Sequence, residues 1–320
     1  MSSRPTTAHG GLRRRVTAIS LAARVIPVHK TIAQIPTKIR HIGDDEVHEV
    51  MSDRISRTSL QSVLSSLVSE GGLKVDRNQP YGPHQRHTLD VYRAGRESVT
   101  APIVLFYYGG GWTSGDRAAY AFVGSALAAN GVTTVVADYR LYPEVKYPAF
   151  NEDAALAYAW THARVANGGQ RPIVLMGHSA GAHIASLVTL DPRYRQAAAS
   201  DYPAPAALIG LSGPYAFDPT TWNSTKAIFA TAVSTDEARP VVKARSGGPP
   251  TLLLHGADNT VVEPIATEMM ERALQKSNTQ VIKRIYSGIG HAGLIMTFAQ
   301  PLRWRAPLLE DVLKFVRSVA

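Results

Sequence analysis

The stretch Ile173-Val-Leu-Met-Gly-His-Ser-Ala-Gly-Ala-His183 places a serine between two glycines, directly after four apolar residues. The apolar run predicts a buried strand, and the small residues after Ser179 predict a helix over Ala180–Leu190. A sharp strand-to-helix turn exposes the side chain at its apex, but side chains two residues before and after the apex would clash. Glycine is therefore required at 177 and 181, and both positions have it.

Similar apolar runs alternate with helical patterns from residue 88 onward. Strands that read as continuous apolar runs are buried on both faces, so this order predicts an α/β fold with a mostly parallel central sheet and helices on both faces. Residues 214–249 interrupt the alternation with Pro, Thr, Ser and aromatic residues, and we interpret them as a small lid or pocket-wall insertion. The predicted strands are Leu89–Tyr92, Ile103–Tyr108, Val132–Ala137, Ile173–Met176, Ala207–Leu211, Thr251–Leu254 and Val281–Tyr286. The further predicted helices are Asn151–His162, Pro264–Gln275 and Leu308–Val319. Asn151 is predicted to cap the first of these helices.

The composition of the 320-residue chain, with 45% hydrophobic and 18% charged residues, is typical of a globular protein with a sizeable core. Cysteine is absent, which excludes disulfides, thiolate catalysis and cysteine-based metal sites. No apolar segment is long enough for a transmembrane helix. We favour a cytoplasmic location, with export or membrane association as alternatives, and the sequence does not decide the oligomeric state.

Positive charge is concentrated near the N-terminus. Residues 1–60 hold ten Lys or Arg and five Asp or Glu, within a net charge of +9 for the whole chain. This distribution argues against nucleic-acid binding by the main domain, which we place at 76–320. The preceding segment 1–75, expected to be partly helical, has Arg13–Arg15 before a short apolar run that Arg24 interrupts. Three interpretations stay open: an export signal, an amphipathic helix at a membrane surface or over the domain, or a disordered tail.

A serine hydroxyl needs a base before it becomes a good nucleophile. His291 lies in a glycine-flanked loop after the last predicted strand, and a histidine is expected there, after the serine and an acid. His178 is expected to point away from Ser179, His183 to pack, and His255 lies within a strand end. We therefore predict that His291 is the base.

The acid that orients the imidazole is predicted to be Asp258. It follows a strand end and lies between Ser179 and His291 in the chain, in the order expected for a nucleophile, an acid and a base. The alternative is an aspartate that only forms a turn.

The glycine-rich stretch Tyr107-Tyr-Gly-Gly-Gly-Trp112 follows an earlier strand. Glycine lets the backbone approach a ligand closely, so we predict that the N–H groups of Gly110, Gly111 and Ala180 bind an oxyanion. A phosphate-binding loop is disfavoured, because neither G-x-G-x-x-G nor a following G-K-S/T is present.

Together these motifs resemble the α/β-hydrolase fold esterases, near the hormone-sensitive-lipase-like group and the feruloyl-esterase and kynurenine-formamidase-like groups. The resemblance covers residues from about 76 to 320 and implies hydrolysis of a small-molecule carboxylic ester through an acyl-enzyme, without cofactor or metal. The matching motifs are GGGW (109–112), DYRLYPE (138–144), YPAFNED (147–153) with Trp160, GHSAGAH (177–183), HGADNTVV (255–262) and GHAG (290–293).

Two positions depart from the family pattern. The family's glycine loop usually begins with a histidine that helps to hold it, and this chain has Tyr108 there. Related enzymes often read H-G-x-x-D-x-x-V, and counting from His255 that acid position falls on Asn259. A turn one residue shorter restores Asp258 as the acid, which is the prediction we make, with Glu263 as the second choice.

The leading hypothesis is a serine hydrolase acting on short to medium acyl or aromatic esters. An aryl-formamidase or another amidase would use the same residues, and a non-catalytic ligand receptor would use the same fold. The expected substrate-binding residues, each of which could instead belong to the core, are Trp112, Tyr215, Phe217, Trp222 and Leu294.

Overall fold

The computed structural model describes residues 72–95, 100–198 and 202–319. Within these ranges eight strands form one sheet in the order β1-β2-β4-β3-β5-β6-β7-β8. β2 is antiparallel to both of its neighbours, and the other pairs are parallel. The strands are β1 Leu73–Pro80, β2 Thr88–Ala94, β3 Ile103–Tyr107, β4 Thr134–Ala137, β5 Ile173–His178, β6 Ala207–Leu211, β7 Thr251–Gly256 and β8 Val281–Tyr286.

The core lies around the central strands. β3, β5, β6 and β7 are buried along their whole length, which is why their sequences are continuous apolar runs. Helices alternate with the parallel strands and pack against the sheet. They are α1 Ala121–Ala128, α2 Ala149–Arg164, α3 Ala180–Leu190, α4 Pro192–Ala198, α5 Ile265–Lys276, α6 His291–Met296 and α7 Leu308–Ser318. The predicted mostly parallel α/β sheet is confirmed.

Several elements differ from the sequence expectations. β1 was not predicted, because it is a partly exposed edge strand without an apolar run, and it begins before the expected boundary at residue 76. α2 begins after Pro148, so Asn151 is not its cap and lies fully buried inside the helix. The expectations about residues 1–71 lie outside the described ranges. Helices α1, α4 and α6 were not predicted either.

The parallel strands bring the catalytic candidates to one edge of the sheet. The carboxyl ends of β3, β5, β7 and β8 all lie at that edge, where ligands gather in such folds. The interruption between β6 and β7 contains two short 3₁₀ helices, Thr235–Ala238 and Pro240–Lys243. No helix in the described part of the chain has the length and hydropathy needed to cross a membrane.

Candidate active site

Ser179 sits at a strained turn between β5 and α3. Its φ of 54° lies in the left-handed region that residues other than glycine rarely adopt. A Cβ on Gly177 would lie 2.1 Å from the carbonyl oxygen of Gly181, and a Cβ on Gly181 would lie 2.0 Å from that of Tyr107. These backbone contacts explain why glycine occupies both positions that flank the serine.

The turn holds Ser179 against His291. The distance from His291 Nε2 to Ser179 Oγ is 2.9 Å, which is a hydrogen-bonding distance. His291 is the first residue of α6 and is buried, whereas Ser179 is half-buried and thus accessible. His178 places its Nε2 3.2 Å from the backbone oxygen of His291. The expected pairing of serine and base is therefore present.

Asp258 does not occupy the acid position. Its side chain is exposed, and it is Asn259, only 2% exposed, whose Nδ2 lies 3.0 Å from His291 Nδ1. The second choice, Glu263, is exposed as well. The predicted contact of Asp258 with the imidazole is therefore wrong, and an asparagine takes its place.

The register of the turn after β7 explains this correction. Ala257 donates a backbone hydrogen bond to Tyr286 at the end of β8, at 2.8 Å, and Asp258 donates one to Ile289 after that strand, at 3.1 Å. Ala257 and Asp258 form the turn, and Asn259, which follows it, is buried with its side chain toward His291. Counting four residues from His255, as in related enzymes, would have found this position.

The glycine loop lies directly beside the serine. A Cβ on Gly109 would be 3.0 Å from Ser179 Cβ. Gly110 and Gly111 have φ angles of 134° and 59°, which favour glycine. Within the described ranges, no hydrogen bond uses the N–H groups of Gly110, Gly111 or Ala180. These are the N–H groups that the sequence predicts to bind an oxyanion, which stays a prediction.

Tyr108 anchors the start of this loop in place of the family's histidine. Burial raises its pKa well above the ordinary value, so the hydroxyl is protonated and donates to Asp138 Oδ1 at 2.7 Å. Arg86 donates to the same hydroxyl at 2.7 Å, and Tyr139 donates to the Tyr108 carbonyl oxygen at 2.8 Å. With tyrosine instead of histidine at this position, the loop is thus held by a buried hydrogen-bond network that the sequence motifs did not reveal.

Three of the expected pocket residues form an aromatic series near the site. The Trp112 ring lies 6.4 Å from Phe217, and Phe217 lies 5.6 Å from Trp222, measured between centroids. Trp112 also contacts His183, one helical turn after the serine, at 5.2 Å. Trp112 is buried, Phe217 half-buried and Trp222 57% exposed, so the series runs from the interior to the surface.

The other two expected pocket residues are core residues. Tyr215 is fully buried in a small cluster with Leu253 and Met270, apart from the aromatic series. Leu294 is fully buried in the main core, because it lies on the inner side of α6. The sequence could not separate these roles, since both pockets and cores select apolar residues.

Two further histidines near the site are neutral structural residues. Burial lowers the pKa of His183 to about 4, and its Nε2 lies 2.7 Å from the Ala238 carbonyl oxygen in the insertion. Burial also lowers the pKa of His255, which contacts Thr267 Oγ1 and the Val262 carbonyl oxygen. No group of three or more His, Asp or Glu side chains in the described ranges is arranged to hold a metal ion.

Comparison with known proteins identifies related sequences. The profile of the BD-FAE family matches residues 89–274, more than half of the chain. A probable isoprenylcysteine alpha-carbonyl methylesterase from Oryza sativa subsp. japonica is 27% identical over 270 residues, covering 77% of this chain and 63% of that protein. Esterase LipC from Mycobacterium tuberculosis is 31% identical over 234 residues, covering 66% and 58%. The chain thus spans about three fifths of the length of these relatives.

Solved structures share the architecture. The inhibited esterase B from Lactobacillus rhamnosis superimposes with a TM-score of 0.69 at 17% identity, covering 85% of this chain and 96% of that chain. Propionate-bound esterase 2 from Thermogutta terrifontis gives a TM-score of 0.63 at 21% identity, covering 78% and 95%. At these identities the likeness establishes the fold, and the predicted α/β-hydrolase fold is confirmed.

Proposed function

Because the chain belongs to the BD-FAE family of α/β-hydrolase esterases, we propose that it hydrolyses carboxylic esters through an acyl-enzyme on Ser179. The observation that carries this proposal is the 2.9 Å contact between Ser179 Oγ and His291 Nε2, formed beside a loop of unused backbone N–H groups. Related proteins that bear esterase names support it.

In this proposal Ser179 Oγ attacks the ester carbonyl carbon while its proton passes to His291 Nε2, in the imidazole tautomer that leaves Nε2 unprotonated. The carbonyl oxygen becomes an oxyanion that accepts hydrogen bonds from Gly110, Gly111 and Ala180, and each such donor is typically worth about 3 kcal/mol of the barrier. The departing alcohol takes the proton from His291. Water then hydrolyses the acyl-enzyme by the same steps in reverse.

The aromatic series Trp112, Phe217 and Trp222 suggests the substrate class. Aromatic side chains provide a large apolar surface at a binding site, and this series begins at Trp112, directly after the glycine loop, and reaches the exposed Trp222. We propose short to medium acyl or aromatic esters as substrates.

The test is hydrolysis of p-nitrophenyl esters, from acetate to dodecanoate, beside N-formylkynurenine. We expect ester turnover by the natural protein and none by Ser179→Ala. The optimal chain length measures the acyl pocket. Preferential turnover of the formamide would assign the protein as an amidase, and turnover that persists in Ser179→Ala would contradict the proposal.

The basic segment 1–75, which precedes the proposed catalytic domain at 76–320, gives a proposal of its own. We propose that it holds the protein at an anionic membrane surface, since basic residues near such a surface each contribute about 1 kcal/mol. Liposome binding that weakens with salt and on replacing Arg13–Arg15 by glutamine would support this. Binding unaffected by either change would contradict it.

A further inference from the structure

Two backbone N–H groups fix the orientation of the Asn259 amide. Val261 and Val262 donate to its Oδ1 at 3.2 and 3.0 Å. If the amide were rotated by half a turn, its NH₂ group would face these two donors, and neither contact would be a hydrogen bond. Oδ1 therefore points to the backbone, and Nδ2 points to His291.

This orientation determines which nitrogen of His291 carries the proton. An amide NH₂ only donates, so at 3.0 Å from Asn259 Nδ2 the His291 Nδ1 atom must accept. In a neutral imidazole the proton then resides on Nε2, which lies 2.9 Å from Ser179 Oγ. Nε2 donates to the serine in this tautomer and has no lone pair with which to take the serine proton.

The surroundings of residue 259 fit a carboxylate better than an amide. His255 Nε2 lies 3.1 Å from Asn259 Nδ2 and 2.8 Å from the Val262 carbonyl oxygen. If His255 Nε2 carries a proton, its N–H faces the amide NH₂, which is also a donor. If Nε2 carries no proton, its lone pair faces the Val262 carbonyl oxygen, which is also an acceptor. An aspartate would accept from His255, from the two valine N–H groups and from His291 at once, which removes the conflict.

We infer that Asn259 is a positioning residue that holds His291 in the non-basic tautomer, so that the chain hydrolyses esters slowly and a carboxylate at this position would activate it. The inference rests on the proposed ester hydrolysis. In another serine hydrolase, asparagine in place of the triad aspartate preserves the geometry and lowers kcat by about 10⁴-fold through the wrong tautomer. The slow turnover that remains still uses Ser179 as the nucleophile, helped by the oxyanion site and substrate binding.

The kinetic test uses the natural protein, Asn259→Asp, Asn259→Asp combined with Ser179→Ala, and Asp258→Asn as a matched control. We expect Asn259→Asp to raise kcat for p-nitrophenyl butyrate by roughly 10³- to 10⁴-fold with KM within about twofold, because only the transition state gains. Ser179→Ala should abolish the gain, and Asp258→Asn should change nothing. Peptide mass spectrometry verifies that residue 259 is still asparagine in the natural protein.

The outcomes separate the inference from the proposed function. If the natural protein shows Ser179-dependent hydrolysis and folded Asn259→Asp is no faster, the inference is overturned while the esterase proposal stands. If neither folded protein shows Ser179-dependent hydrolysis, the esterase proposal fails and the inference fails with it.

Nitrogen NMR of His291 tests the tautomer directly, and its result for the natural protein does not depend on whether Asn259→Asp folds. With the signal assigned by comparison with His291→Gln, we expect the proton on Nε2 in the natural protein and on Nδ1 in Asn259→Asp. A proton on Nδ1 in the natural protein would overturn the inference. A purely structural role for Asn259 would leave the tautomer unchanged.

Discussion

The Tyr108 hydroxyl donates a hydrogen bond to Asp138 Oδ1 at 2.7 Å and thereby anchors the first residue of the glycine loop to a neighbouring strand end. Both side chains are buried, and Arg86 completes the network. The loop's N–H groups depend on this network for their position beside Ser179.

Tyr108→Phe is expected to lower both stability and turnover. Loss of the hydroxyl removes one hydrogen bond from each of two charged groups, Asp138 and Arg86, which costs about 1–3 kcal/mol of unfolding free energy although Arg117 and Gly115 still pair with them. A less ordered loop should lower kcat about tenfold with little change in KM, because the loop's N–H groups bind the oxyanion, which forms only in the transition state. The measurements are urea denaturation and ester kinetics.

Tyr158→Phe is the matched control for this prediction. It removes a hydroxyl that donates to the Pro203 carbonyl oxygen at 2.9 Å, away from the glycine loop. We expect a comparable stability loss with kcat unchanged. Equal effects on kcat in both variants would show that the Tyr108 hydroxyl has no special part in holding the loop.

Gly181→Ala should damage the strand-to-helix turn. The added Cβ would lie 2.0 Å from the Tyr107 carbonyl oxygen and 2.5 Å from that of Tyr108, and backbone atoms cannot yield as flexible side chains do. We expect a loss of about 1–3 kcal/mol in stability. A shift of the serine by about 1 Å should reduce kcat about 10²-fold.

Gly247→Ala provides a comparison, since its Cβ would meet nothing within 4 Å although its φ is 73°. This variant should lose only roughly 1–2 kcal/mol of stability, from backbone strain, and its kcat should be normal. Normal ester kinetics in Gly181→Ala would refute the steric explanation of the flanking glycines.

The fold could be predicted because local sequence carries its main signals. The central strands are apolar on both faces, and the glycines around Ser179 are required by contacts within the turn and its neighbouring strand. β1 lacked such a signal, because an edge strand has one face in solvent and its sequence, LKVDRNQP, is largely polar.

The acid position and the loop anchor depend on contacts between distant segments. Whether Asp258 or its neighbour faces His291 is decided by backbone hydrogen bonds to the end of β8 and to the loop that follows it. The Tyr108 anchor joins Arg86 and Asp138, which are 22 and 30 residues away. The spacing from His255 points to position 259, but no local pattern around Tyr108 indicates its pairing with Arg86 and Asp138.

His183 should make stability depend on pH. Burial holds its pKa at about 4, whereas an unfolded histidine titrates near 6.5. Between these values the unfolded chain binds a proton that the folded chain does not, so unfolding becomes easier as the pH falls from about 6.5 toward 4. At pH 7 this loss is absent, and at pH 4.5 it should reach about 2–3 kcal/mol.

His183→Gln isolates this effect, because its amide can still donate to the Ala238 carbonyl oxygen but does not titrate. Urea denaturation at pH 7 and at pH 4.5 gives the change in unfolding free energy for each protein. The natural protein should lose about 2–3 kcal/mol more than the variant. Equal losses would show that protonation of His183 does not contribute, whatever the variant's absolute stability.

Trp222→Ala should weaken the binding of aromatic esters without affecting the fold. Trp222 is 57% exposed and contacts Phe217 edge-to-face at 5.6 Å, so its removal costs the fold little. If the series Trp112–Phe217–Trp222 lines the acyl pocket, losing one aromatic contact of about 1 kcal/mol should raise KM for p-nitrophenyl benzoate about fivefold. KM for p-nitrophenyl acetate should hardly change, because a two-carbon acyl group does not extend along the series. Trp304→Ala is the matched control, since Trp304 is 82% exposed on the 3₁₀ helix Gln300–Arg305. An equal rise in KM for both esters, or the same rise in Trp304→Ala, would exclude this aromatic series as the acyl pocket.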